Sequence, residues 1–143
     1  MLNIKRLSLA DAQLLIEGAK AKAEEIGVPM CISVTDESGN LLAFERMDGG
    51  KIHSITLSQD KAFTAASARK ATHEYNAGCL PGADNMLFGI HTAMGGRLCI
   101  VGGGLPVFVE GDCVGGIGIS SGTPAQDLQC ATAGVEHFLA HSK

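Results

Sequence analysis

Apolar positions along the chain switch between two periods. Ala12, Leu15, Ile16, Ala19, Ala23 and Ile26 recur at helical spacing, behind a capping-box signal at Ser8 and Asp11 and ahead of the stop signal Gly27–Pro29. Residues 30–35 and 41–46 then read as β-branched or apolar strands around the turn cluster at 36–40. That turn is too short for a crossover, so the two strands form an antiparallel hairpin. From residue 54 to about residue 70 the helical period returns, with Ile55, Ala62, Phe63 and Ala66 on one stripe and enough alanine to predict close packing against a neighbour. Residues 76–82 are turn-rich, and 84–92 are ambiguous, with a short helix around 86–88 as one reading.

Strand signals resume at 98–101, 107–110 and 113–120, joined by tight glycine turns. Glycines inside the last of these predict close approach by another backbone or a ligand. Thr123, Pro124 and Gln126 open a final helix whose buried stripe is Leu128, Ala131, Val135, Phe138 and Leu139. The order is helix, two strands, helix, three strands, helix. It predicts an α+β fold with a five-stranded, mainly antiparallel sheet and packed helices, because strand and helix do not alternate throughout.

Val101-Gly102-Gly103-Gly104-Leu105-Pro106-Val107 stands out within this pattern. Consecutive glycines permit positive φ and close approach to the main chain, and Pro106 stiffens the exit. The run reads either as the floor of a ligand pocket or as a plain connection.

Composition narrows the function classes. The chain has 143 residues, 45% of them hydrophobic, and a formal net charge of −4. That fits one compact domain over residues 1–143. The charge, the lack of a basic stripe and the absence of Trp argue against a nucleic-acid partner. No run approaches the ~18 apolar residues of a membrane span, and no signal-peptide core is evident, so a cytoplasmic location is expected. The five cysteines contain no CxxC pair and read as reduced, buried thiols, with Cys79 the one expected to be exposed.

Several local patterns occur together in order: Val34-Thr35-Asp36 with Gly39-Asn40-Leu41, Arg46-Met47-Asp48, Lys61-Ala62 with Thr64-Ala65, Gly103-Gly104-Leu105-Pro106-Val107, Val114-Gly115 with Ile117-Gly118-Ile119-Ser120, Gly122-Thr123 and Gln126-Asp127. Together they resemble the GlcG/HbpS-like family, also called the haem-degrading domain, which includes the C-terminal domain of PduO-type corrinoid adenosyltransferases. The resemblance implies a five-stranded profilin- or PAS-like domain and a homo-oligomer, from dimer to octamer. It also implies a link to haem binding, haem breakdown or a catabolic operon.

On that footing the residues divide into roles. Arg46 and Asp48 flank a loop: the guanidinium suits a carboxylate or haem propionate, or the two side chains pair with each other. Lys61 and Thr64 share a helix face, where Lys61 meets an anion or carbonyl or else snorkels outward. With Gly103, Gly104 and Pro106 these residues make up the expected ligand pocket. His53 and His91 are candidate axial ligands for haem iron. A haem-binding relative uses a histidine in the first helix, and this chain has none there. His73 and Glu74, with Lys61, are candidate acid–base groups if the protein is instead an enzyme acting on a small carbonyl or carboxylate metabolite. A third reading is a structural partner in a catabolic complex. No P-loop, nucleophile elbow or dinucleotide fingerprint is present.

Overall fold

A computed structural model of the chain describes residues 1–82 and 84–143. Helix α1 (Leu9–Ile26) starts where the sequence caps it: Ser8 Oγ accepts from the Asp11 amide at 3.1 Å, and Asp11 Oδ2 accepts from the Ser8 amide at 2.8 Å. Strands β1 (Cys31–Asp36) and β2 (Leu41–Arg46) form the predicted hairpin. Helix α2 (Ser54–Ala68) follows, then single 3-10 turns at Thr72–Tyr75 and Ala77–Cys79 and a kinked 3-10 stretch at Ile90–Gly96. Met86, Leu87 and Phe88 lie in turns, and Ala83 lies outside the described residues. Strands β3 (Gly104–Val109) and β4 (Asp112–Ser120) form a second hairpin, and α3 (Pro124–His141) closes the chain.

The sheet runs β2-β1-β4-β3 and every pairing is antiparallel. Its two faces differ in chemistry. Ile32, Val34, Ile117 and Ile119 join Leu15, Ile16, Ala19, Cys130, Ala131 and Phe138 in one apolar core beneath α1 and α3. The other face is built from small and polar residues. Ser33 Oγ shares a 2.8 Å bond with Ser58 Oγ, Thr35 Oγ1 donates to Ala62 O, and Ser120 Oγ donates to Ser54 Oγ at 3.0 Å. Gly116 and Gly118 complete that face and let α2 rest directly on β4. A Cβ at Gly116 would lie 2.6 Å from Ala62 O, and one at Gly118 would collide with Ser58 O. The alanines of α2 and the glycines of β4 are therefore one feature, a close helix–sheet contact.

The sheet has four strands, not five. The predicted strand at 98–101 is an irregular segment with no strand partner among the described residues. Side-chain hydroxyls supply its hydrogen bonds instead. Thr64 Oγ1 donates to Arg97 O at 3.2 Å and accepts from the Cys99 amide at 2.9 Å. Thr72 Oγ1 donates to Val101 O at 2.6 Å and accepts from the Gly104 amide at 3.0 Å. Leu98 and Cys99 are buried, which is why the segment carries a strand-like pattern. Cys79 is likewise buried, at 4% exposure; Cys113 is the half-exposed thiol. Among the described residues, no helix is long and apolar enough to cross a membrane.

Candidate functional site

The start of α2 and the turn between β4 and α3 enclose a cavity of about 140 Å³. Lys51, His53, Ser54, Leu57 and Lys61 line one side, and Ser120, Ser121, Gly122, Pro124 and Asp127 line the other, with Val101 beside them. Lys51 and His53 are exposed and form the mouth; Ser54, Lys61, Ser120 and Asp127 are buried. His53 is the residue before α2 and makes no side-chain cap bond, so its imidazole is not committed to the helix end.

Lys61 lies at the floor, 2% exposed. Its Nζ donates to Asp127 Oδ2 at 2.9 Å and to Ile119 O at 2.8 Å. The other Asp127 oxygen accepts from the Gly122 amide at 2.9 Å. One carboxylate thus ties α3, α2 and the β4–α3 turn together. Burial pushes the Asp127 carboxyl up, and the nearby Lys61 charge pulls it only part of the way back. Ser121 holds φ at 117°, an uncommon conformation for a residue with a side chain, and its Oγ accepts from the Lys51 amide at 3.1 Å. That bond fixes the mouth loop against the turn.

The glycine bend does not form the expected open floor. Gly102, Gly103 and Gly104 are buried, and of the run only Val101 lines the cavity. Gly103 takes φ +123°, and a Cβ there would lie 2.7 Å from Ile119 O and 3.0 Å from Lys61 Nζ. The bend is packed against the Lys61–Asp127 pair by the protein's own core. Pro106 is half-buried in β3, opposite Gly116.

The other candidates scatter. Thr64 is spent on Arg97 and Cys99, one turn beyond Lys61 along α2 and outside the cavity lining. Arg46 and Asp48 are exposed after β2, outside that lining, and no ion pair joins them among the described residues. His73 is exposed, while Glu74 Oε2 accepts from the Ala71 amide at 2.9 Å, so the two are not brought together as a pair. His91 is half-buried against Phe88, its Nδ1 buried without a partner, and is not part of the cavity. No group of three metal-ligating side chains forms among the described residues.

Sequence reasoning placed Lys61 and His53 near a pocket but missed Asp127, Ser54, Ser120, Ser121 and Lys51. A signal existed for Asp127. It shares the buried stripe of α3 with Cys130, Ala131, Gly134 and Phe138, and an acid on such a face predicts a buried base opposite.

Residues 7–136 match the family model described as haem degrading protein HbpS-like. The chain belongs to that family. It is 39% identical, over 94% of each chain, to an uncharacterized 15.0 kDa protein of the dhaT-dhaS intergenic region of Citrobacter freundii. The crystal structure of Klebsiella pneumoniae protein ORFY superposes with a TM-score of 0.94 at 35% identity, covering 98% of this chain and 95% of that one. The crystal structure of a PduOC:haem complex superposes with a TM-score of 0.87 at 32% identity, covering 92% and 94%.

Proposed function

We propose that the protein binds haem at the mouth of this cavity, with a propionate or another carboxylate directed inward. The observation that carries the reading is that the Lys51 ammonium and the His53 imidazole, a haem-iron ligand type, stand together at the mouth of one cavity in a chain of net charge −4. Membership of the HbpS-like family and the likeness to a structure solved with haem support haem as the ligand.

The fit sets a condition. About 140 Å³ is below the ~300–1,000 Å³ of pockets that enclose a drug-sized ligand, so the macrocycle stays outside. His53, at the mouth, is the residue that would meet the iron, and Lys51 is available to a propionate. Bound haem would supply an iron centre whose chemistry depends on that axial contact. The macrocycle's outer face then needs a second wall, and a second copy of this chain supplies one. Met86 and Phe88, 92% and 60% exposed, support the homo-oligomer.

Hemin titration tests the reading. The expected result is a saturable Soret shift that His53→Ala alters in position and weakens. A flat titration overturns it. Light scattering with and without hemin reports the subunit number.

A further inference from the structure

Several polar side chains that line the cavity keep hydrogen-bond protons with no acceptor among the described residues. Lys61 has three N–H donors and spends two, on Asp127 and Ile119. Ser54 Oγ accepts from Ser120 Oγ, and its own proton has no acceptor among the described residues. Ser121 Oγ accepts from the Lys51 amide, and its proton is likewise unassigned. Both Asp127 oxygens are engaged, one by Lys61 and one by the Gly122 amide. The Lys61 and Asp127 charges cancel, leaving Lys51 as the uncompensated cation on the lining.

Buried donors without acceptors are costly, and an anion with several lone pairs satisfies them together. The cavity has room for about four or five non-hydrogen atoms at ~30 Å³ each, the size of propionate. We infer that it is a seat for the carboxylate of a short aliphatic acid, gripped by the third N–H of Lys61 and the hydroxyls of Ser54 and Ser121. The same chemistry comes from a haem propionate or from a free short-chain acid. For the first source the seat rests on the haem reading; for the second it stands without it.

The test is NMR of the Lys61 Nζ–H₃⁺ signal in the ¹⁵N-lysine-labelled chain, titrated with propionate and, as a neutral control, propionamide. The signal is assigned by its loss in a Lys61→Met/Asp127→Leu double variant. A saturable shift with propionate alone, weakened about tenfold in Ser54→Ala/Ser121→Ala, is expected; tenfold corresponds to ~1.4 kcal/mol. No saturable shift up to about 100 mM, a hundredfold above a ~1 mM Kd, overturns the seat.

Hemin and its dimethyl ester separate the sources. A haem propionate in the seat makes the ester bind about tenfold more weakly and makes hemin displace propionate. Equal binding of hemin and ester, with propionate still saturating, assigns the seat to a free acid. Hemin binding with an unresponsive Lys61 removes the seat and keeps the haem reading. A flat hemin titration with saturable propionate does the reverse.

Discussion

Lys61 and Asp127 reach each other from different helices, Nζ to Oδ2 at 2.9 Å, with side chains only 2% and 3% exposed. The pair fixes the floor of the cavity and the turn that carries Ser121 and Gly122. Breaking one member strands the other charge out of water. Lys61→Met or Asp127→Asn is therefore expected to cost about 3–5 kcal/mol in urea unfolding. The intact pair adds little net stability of its own, because taking both charges out of water offsets most of their attraction. Lys61→Met/Asp127→Leu should regain most of the loss, and a double variant as unstable as the singles would contradict that account.

The contact between α2 and β4 depends on two missing side chains. A Cβ at Gly118 would meet Ser58 O and lie 2.5 Å from the Ala62 amide nitrogen, both main-chain atoms of a helix that cannot yield locally. Gly118→Ala should destabilise by about 1–3 kcal/mol, with a Tm fall of roughly 2–4 °C per kcal/mol, read by calorimetry. The Ser33–Ser58 bond should loosen with it. Wild-type stability in Gly118→Ala would mean that α2 is not seated on β4.

The helices and the two hairpins were legible because their signals are local: capping boxes at Ser8 and Thr123, a stop at Gly27, and short turns at 36–40 and 110–111. The extra strand was misread because burial of Leu98 and Cys99 imitates strand patterning. What replaces the ladder is a pair of threonines, Thr64 and Thr72, distant in sequence from the carbonyls and amides they serve. The cavity was half legible for a similar reason. Lys61 and His53 announced themselves as polar groups beside an alanine-rich helix. The opposite wall comes from Ser120, Ser121 and Asp127, whose meeting with Lys61 depends on the long connection and the β3–β4 hairpin that separate them in sequence. Gly103 was read as an open surface because sequence shows that a side chain is excluded, not which atoms exclude it; those atoms belong to Lys61, Asp127 and Ile119.

The segment before α1 is held by Arg6, whose Nε lies 2.7 Å from Glu37 Oε2 in the β1–β2 turn. The guanidinium holds the Glu37 carboxyl down at about 2, from an ordinary value of 4.5. A depressed carboxyl contributes stability that is present above 4.5 and is lost as pH falls through about 2. The stability gap between wild type and Arg6→Gln should be constant near neutral pH and close in acid over that window. An NMR titration of Glu37 should show its midpoint rise in Arg6→Gln. A gap that widened in acid would carry the wrong sign for this pair.

The thiols should react in an order set by burial. Burial raises the thiols of Cys31, Cys99, Cys113 and Cys130, the last to about 11, so little thiolate exists at pH 8 at those positions. Cys79 is buried as well, beside Gly78, whose neighbour is the Leu87 side chain. Cys113 is the one that solvent reaches in the folded chain, although its Sγ also contacts Gly115 O at 3.5 Å. A disulfide reagent at pH 8 should therefore modify one thiol slowly in the native protein. Cys113→Ser should abolish that phase, leaving the other four to react at the unfolding rate. Fast modification of Cys79 would show that the turns around it open far more readily than their packing implies.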